Sequence, residues 1–338
     1  MIPSNWHLLS EAPELQTQVQ TFLHAWQQDL SFDFQSSGST GAPKKIQFTK
    51  AQLITSATAS IKALQLNQHT KALVCLPLTS VGGLLQLARA LLANFELYID
   101  LPNSRPLQNF DPSINFISMV PTQLQQSLEH EALKLSRIEK ILIGGAPLEA
   151  SLIERCRAQQ IALIQSYGMT ETLSHVALRH VGHEVSGPFQ AIEGVYFEQH
   201  DQCLTIHYPA LLDAPLHTND LVNLIDAQRF EWLGRSDFAI ITGGLKIIPE
   251  QLEEKLSTVL TRPFFITGVP DEKWGSVVGL VMEGEAIELE LDWTALSLHA
   301  AAIPKKIAFV PEFQRTQTLK IKRQETLANL TDASWRSL

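Results

Sequence analysis

Between residues 50 and 170 the chain alternates two patterns, and this alternation constrains the fold more than any other feature. Short, almost wholly apolar runs recur at 73–78 (LVCLPL), 114–120 (INFISMV), 138–145 (IEKILIGG) and 161–168 (IALIQSYG). They have the length and texture of strands buried on both faces. Between them lie helical patterns. Leu53, Ile54, Ala57, Ile61 and Leu64 form one stripe, a Leu/Ala-rich stretch follows TSVGG, Pro121 and Thr122 open another helix, and LEASLIERCRAQ is a fourth. Strand–helix–strand repeats require right-handed crossovers and a mostly parallel sheet covered by helices. A further amphipathic helix, with Leu15, Val19, Phe22, Leu23 and Trp26 in register, precedes them at 11–30.

Sheets of this kind carry their ligands at the strand C-termini. The loops expected there are SSGSTG, TSVGG, GGAP and YGMTET, four polar or glycine-rich loops on one sheet edge. The first lies within QSSGSTGAPKK, residues 35–45, between the strand-like SFDF and a helix entered at Phe48 and Thr49. Its small residues turn backbone N–H groups outward, its hydroxyls add donors, and Lys44 and Lys45 add charge. That combination suits a polyphosphate. The loop lacks Walker A spacing, and no G-x-G-x-x-G follows a strand. Pro43 and the ordered flanks argue against a flexible linker.

From about residue 185 the pattern changes. GVYFEQHDQCLTIHYP alternates and turns at 200–202 as an antiparallel hairpin does. Pro249 fits a helix N1 position with Glu250 in the first turn. FFITGV and VVGLVM read as short strands, a helix is expected near 293–301, and a Lys-rich tail closes the chain. The fold class is therefore α/β. A large N-terminal domain, 1–234, has mostly parallel sheet flanked by helices plus a small antiparallel β region; a hinge spans 235–237; a small α+β domain spans 238–338. The length of 338 residues suits two domains.

A chain that is 45% hydrophobic and 18% charged can bury a large core, and a net charge of −9 disfavours nucleic acid as a partner. Cys75, Cys156 and Cys203 are scattered and lack metal-ligand spacing, so they read as reduced, buried thiols. No N-terminal leader pattern and no membrane-spanning run is visible, and a cytoplasmic protein is expected.

With the loops taken in order, the chain resembles the ANL superfamily of acyl- and aryl-CoA synthetases, peptide-synthetase adenylation domains and luciferases. SSGSTGAPK is similar to that family's phosphate loop, GGAP to its adenine wall and YGMTET to its adenylate motif. HTND stands where the family carries T-G-D, GRSDFAIITGGLKI is similar to its interdomain hinge, and TQTLKIKR to its T-x-x-G-K-I-x-R tail. SMVPTQLQ, ILIGGAPL, YGMTETLSHVALR and ITGGLKIIPEQLEE bring it nearest to the succinylbenzoate–CoA ligase branch, which serves menaquinone biosynthesis, in its compact bacterial form.

The resemblance implies ATP, Mg²⁺ and CoA as reactants and cofactors. An acid carboxylate joins the α-phosphate, pyrophosphate leaves, and a thiol then displaces AMP. Ser36, Ser37, Gly38, Ser39, Thr40, Gly41 and Lys44 are implied to hold the β- and γ-phosphates, and Gly144, Gly145, Ala146, Pro147, Tyr167, Gly168 and Met169 to frame the nucleotide. Thr170 and Glu171 are implied at the α-phosphate and Mg²⁺, with Glu171 the metal ligand; one carboxylate is enough for an ion that keeps waters and phosphate oxygens. Asp220 is implied as acceptor for the ribose hydroxyls, Arg235 as its neighbour at ribose or phosphate, Asp237 as the hinge, and Lys320 as the catalytic lysine. Gly243, Gly244 and Lys246 fall on the CoA side. For the acid, Arg89 offers a cation to a second carboxylate, with Ser80, Ser174 and His175 as neighbours.

The chain departs from the pattern at Thr79 and Ser80, where many members have an aromatic–His pair, and at Asn219, Gln314 and Leu319. Only 35 residues precede the phosphate loop, about a hundred fewer than a full-size relative carries. From length alone this is expected to bare an apolar face and favour a homodimer. The expected activity is an acid–CoA ligase acting on 2-succinylbenzoate. The alternatives are a ligase for another aryl or short acyl acid, and a nucleotide-binding protein without turnover.

Overall fold

Residues alternate between two apolar layers along each central strand: Ala72, Val74, Phe116 and Leu142 belong to one buried cluster, and Leu73, Ile117, Met119, Ile141 and Ile143 to another. A strand with both faces apolar needs cover on both sides. The computed structural model describes residues 1–35, 44–109, 113–182, 187–289, 291–293, 296–316 and 321–338.

In chain order, β1 (Trp6–Leu8), α1 (Pro13–Gln27), β2 (Phe32–Gln35), β3 (Lys45–Phe48) and α2 (Lys50–Leu64) lead into β4 (Lys71–Val74), α3 (Val81–Ala93), β5 (Glu96–Ile99) and β6 (Phe116–Met119). Then come α4 (Pro121–His130), α5 (Ala132–Leu135), β7 (Lys140–Ile143), α6 (Ala150–Ala158), β8 (Leu163–Met169), β9 (Ser174–Val181) and β10 (Phe189–Ala191). The strands β11 (Tyr196–His200), β12 (Cys203–His207), β13 (Leu216–Asp226) and β14 (Arg229–Arg235) complete one 12-stranded sheet of order 1-5-4-6-7-8-9-10-14-13-12-11. Its first six strands run parallel, and from the β8–β9 pair onward every pairing is antiparallel. Side chains of α1, α2 and α3 fill the first cluster, and those of α4 and α6 the second. This is the doubly covered parallel sheet that the alternation predicts.

Local signals explain where the helices start. Thr49 caps α2 through a reciprocal capping box with Gln52, Ser80 caps α3, and Pro121 and Pro249 occupy first-turn positions of their helices.

The remaining elements are β15 (Ile240–Thr242), β16 (Leu245–Ile247), α7 (Pro249–Leu256), β17 (Phe264–Asp271), β18 (Gly275–Glu283), β19 (Lys306–Val310), α8 (Arg323–Leu327) and β20 (Arg336–Ser337). β15 and β16 form a hairpin, and β17-β18-β19-β20 a four-stranded sheet around separate clusters centred on Leu256, Val278 and Phe265. Gly243 and Gly244, with φ of 55° and 83°, make the tight β15–β16 turn, whose two central residues both need the left-handed region.

Two expectations are corrected. The strands flanking residues 36–44 do not join the large sheet; β2 and β3 pair only with each other, antiparallel. Phe32, Phe34 and Phe48 are buried, and Phe22 packs against Phe32, so this hairpin closes over the core and the chain reaches α2 through β3. Near 293–301 the described residues hold one 3-10 turn, Ala300–Ala302, and no α-helix. Leu289, Leu291 and Trp293, then Leu296 and Leu298, pack inward at intervals of two, the period of extended chain.

Candidate active site

Three of the expected loops leave parallel strands of the one sheet at their C-terminal ends: TSVGG follows β4, GGAP follows β7 and YGMTET begins within the last residues of β8, with β6 between β4 and β7. A close backbone approach favours glycine in the first and third, and a serine hydroxyl crowds the glycine of the second. A Cβ on Gly83 would lie 2.2 Å from the Pro77 carbonyl oxygen, one on Gly144 would lie 2.5 Å from Ser166 Oγ, and one on Gly168 would lie 2.2 Å from the Ser174 carbonyl oxygen. Gly144 donates its N–H to the Met119 carbonyl at 3.1 Å, and Gly145 turns the chain at φ 86° toward Ala146 and Pro147.

The β8–β9 connection is a single 3-10 turn, Thr170–Thr172, followed by Leu173 and Ser174 at positive φ. The buried Thr172 hydroxyl fixes it, accepting from Met169 N–H at 3.1 Å and donating within 2.7 Å of the Ser174 carbonyl. Thr170 and Glu171 are therefore presented on a tight, braced turn. Glu171 is half-buried and has no ion pair among the described residues. A lone carboxylate beside a hydroxyl fits an ion that takes most of its ligands from phosphate and water. Among the described residues no group of three or more His, Cys, Asp or Glu could hold a metal by itself.

Asp220 and Arg235 face each other across the β13–β14 ladder. Asp220 Oδ2 accepts from the Tyr167 hydroxyl at 2.6 Å, Oδ1 accepts from the Trp232 indole N–H at 3.1 Å, and Arg235 Nη1 stands 3.7 Å from Oδ1. Burial and the Asp220 charge push the Tyr167 phenol well above its ordinary pKa, so it is a donor throughout the physiological range. Arg235 also grips Asp237 with two bonds, 2.9 and 2.7 Å. Burial alone would lower its pKa, but the two carboxylates raise it. The YGMTET segment, the HTND segment and Asp237, the expected hinge, thus form one connected polar network. Trp232 was not singled out in the sequence; an aromatic two residues before a strand-ending glycine reads as core. Nothing in the sequence marks it until its strand is paired with the one bearing Asp220.

Three of the residues expected on the acid side also meet. Arg89, on α3, is 2% exposed, donates to Gln86 Oε1 at 2.7 Å and reaches Ser174 Oγ at 3.4 Å; Ser174 Oγ lies 3.3 Å from His175 Nδ1. No carboxylate pairs with Arg89 among the described residues. Burial pushes its pKa down to about 9, which leaves it charged at neutral pH. Burial, reinforced by the Arg89 charge, holds His175 well below the ordinary histidine value and keeps it neutral. Ser80 is engaged elsewhere: its hydroxyl donates to the Pro77 carbonyl at 2.7 Å and accepts from Gly83 N–H at 3.3 Å as the α3 cap. Gln86 was likewise not singled out, because a glutamine in a Leu/Ala-rich helix carries no signal until Arg89 is placed beside it.

Of the phosphate-loop residues, Ser36, Ser37, Gly38, Ser39, Thr40 and Gly41 lie outside the described residues, as does Lys320; Lys44 is exposed immediately before β3. On the expected CoA side, Gly243 N–H donates to the Trp274 carbonyl at 3.0 Å and Lys246 Nζ donates to Gln202 Oε1 at 3.1 Å. Among the described residues no helix is long and apolar enough to cross a membrane.

The chain is similar in sequence and fold to several known proteins. A curated 2-succinylbenzoate–CoA ligase of Listeria monocytogenes is 28% identical over 94% of this chain and 74% of its own. An acyl-CoA synthetase (AMP-forming)/AMP-acid ligase II-like protein from Dyadobacter fermentans superposes with a TM-score of 0.63 at 34% identity, covering 95% of this chain and 96% of that one. The o-succinylbenzoate CoA synthetase MenE of Bacillus subtilis, solved with ATP and magnesium, shares the fold with a TM-score of 0.73 at 23% identity, over 87% of this chain and 69% of that one. The model of the AMP-binding enzyme family matches residues 5–192, more than half of the sequence and the span that carries GGAP and YGMTET, and the chain belongs to that family.

Proposed function

We propose that this adenylate-forming acid–CoA ligase acts on 2-succinylbenzoate, consuming ATP and CoA and releasing AMP and pyrophosphate. The observation that carries the substrate reading is Arg89, a buried guanidinium with no counter-ion among the described residues. Burying an unpaired cation is expensive, and a substrate with a second, unreacting carboxylate would supply the missing charge through a strong paired hydrogen bond. The relative from Listeria monocytogenes bears the name of this activity.

In the first half-reaction an oxygen of the acid carboxylate attacks the α-phosphorus and the bond to the pyrophosphate oxygen breaks. Two anions must approach, so catalysis depends on positive charge and donors placed where charge gathers. Lys44 and the loop before it would bind the outer phosphates, Thr170 would donate to the α-phosphate, and Lys320 would steady the charge shared by carboxylate and phosphate. Glu171 would hold Mg²⁺, which neutralises phosphate charge when bound. Asp220, aligned by Tyr167 and Trp232, keeps lone pairs for the ribose hydroxyls. In the second half-reaction the CoA sulfur attacks the acyl carbon and AMP leaves, with Gly243, Gly244 and Lys246 beside the incoming thiol. A unit comprising residues 238–338 would turn about 235–237 between the two steps.

Pyrophosphate release is measured with ATP, Mg²⁺, CoA and a panel of 2-succinylbenzoate, benzoate, a coumarate and a medium-chain fatty acid, with thioester identified by mass. Turnover of 2-succinylbenzoate well above the others is expected. Preference for a monocarboxylic acid would overturn the substrate reading while leaving the ligase class intact, and nucleotide binding without turnover would overturn both.

A further inference from the structure

Three side chains of one buried cluster hold polar atoms without a hydrogen-bond partner: Gln86 Nε2, Arg89 Nε and His175 Nε2. Their residues are 1%, 2% and 4% exposed. Unmet polar groups at such burial are uncommon in a folded protein and cost stability. The connections among them fix what Gln86 and Arg89 can offer. Arginine is donor-only, so Arg89 donates to Gln86 Oε1 and to Ser174 Oγ. The Ser174 hydroxyl, accepting there, also meets His175 Nδ1 at 3.3 Å, a contact that either imidazole tautomer can make. Gln86, accepting at Oε1, offers only N–H at Nε2. The unmet atoms of Gln86 and Arg89 are therefore both donors, and the one charge among them is positive. The matching ligand group accepts hydrogen bonds on several lone pairs and is negative, which describes a carboxylate.

We infer that Gln86 positions Arg89 and, together with it, forms a donor-only seat for the carboxylate of the acid that is not activated. Gln86 is a positioning residue through Oε1 and a specificity residue through Nε2. It lies one helical turn before Arg89 on α3, so a single rigid element carries both groups. The inference rests on the ligase reading above and deepens it: the seat selects dicarboxylic acids against monocarboxylic ones of the same shape, because a neutral group there would leave Arg89 unpaired.

Two substitutions test it. Gln86→Leu keeps the volume and removes both amide functions; Gln86→Glu sets a carboxylate against Arg89. Pyrophosphate release is followed with 2-succinylbenzoate and with its two monocarboxylic analogues, each lacking one carboxyl group, and thermal unfolding of each protein is recorded without acid. In Gln86→Leu the ratio of kcat/KM for the diacid to that for the reacting monoacid should fall about tenfold or more, the size of a lost bond in a charged cluster. Gln86→Glu should lower the ratio further while raising the Tm of the acid-free protein, since Arg89 then has a counter-ion. An unchanged ratio in Gln86→Leu, equal losses on diacid and monoacid, or a lowered Tm in Gln86→Glu overturns the inference; an ordered water seated on the donors would give the first of these. If the wild-type protein ignores 2-succinylbenzoate, the substrate reading falls separately. The seat is then judged on the Tm response and on the acid that does react: a diacid supports it and a monoacid overturns it.

Discussion

His175 and Arg89 share a buried pocket in which only one can be charged. Arg89 keeps its proton at neutral pH, and His175 loses its own because burial and the neighbouring guanidinium both oppose a second cation. The sign of the stability effect follows. In the unfolded chain the imidazole takes up a proton below about pH 6.5, while in the folded protein it does not until much lower pH. Between these two points the unfolded state binds more protons, so stability falls as pH falls, by up to roughly 1.4 kcal/mol per pH unit for this one group. A His175→Asn variant should show a flatter decline in urea-unfolding stability between pH 6.5 and 5 than the wild-type protein. Identical slopes would mean that His175 takes up a proton in the folded state. The same pocket shows what a sequence can and cannot convey about residues. Arg89 and His175 could be picked out because charge and imidazole are conspicuous; Gln86 and Trp232 could not, because their roles come from a neighbour one helical turn away and from the offset across a strand pair.

At the scale of elements, the parallel strands and their helices were legible because both-face burial leaves continuous apolar runs. The motif loops were legible because close backbone approaches leave glycines at fixed places. Pairing partners were less so. Four residues such as KIQF carry little signal of their own, so the sequence reads β2–β3 as a strand leading into a helix, and the Ala- and Leu-containing stretch 293–301 reads as helix although Leu289, Leu291 and Trp293 leading into it recur every two. Gly168 tests how firmly the adenylate turn is held. Its Cα hydrogen points at the Ser174 carbonyl and the His175 Cα, with 2.2 and 2.5 Å available to a Cβ. Gly168→Ala must push β9 away from β8 at the register shift between Tyr167 and Gly168. This should destabilise the protein by about 2 kcal/mol, typical of overpacking, and displace Thr170 and Glu171. Chemical denaturation and the KM for ATP report the two effects; a variant unchanged in both would show that the turn is not constrained in this way.

At the scale of the whole molecule, a chain of polar and cation–π contacts ties the C-terminal elements to one another. Glu253, on α7, accepts from Ile266 N–H at 2.7 Å and pairs with Arg323 at 2.7 Å, and Arg323 lies over the Phe238 ring at 4.9 Å. Phe238 is thereby fastened to the C-terminal elements, while Arg235, three residues earlier, is fastened to Asp220 of the large sheet. Two residues, Ser236 and Asp237, separate these anchors, which is where a turn between orientations would be accommodated. Lys320 lies outside the described residues, after Arg315, which is clamped on Glu283 of the proposed C-terminal unit by bonds of 2.6 and 2.7 Å. If that unit delivers Lys320 for the first half-reaction and the Gly243–Gly244 turn for the second, the two steps should respond to different substitutions. Lys320→Ala should slow acyl-adenylate formation by about a hundredfold or more, the scale of a lost charge-stabilising donor, while thioester formation from supplied acyl-adenylate and CoA continues. Gly244→Trp, which leaves the lysine in place and crowds the turn, should do the reverse. Equal losses in both half-reactions for either variant would argue that one fixed orientation serves both steps.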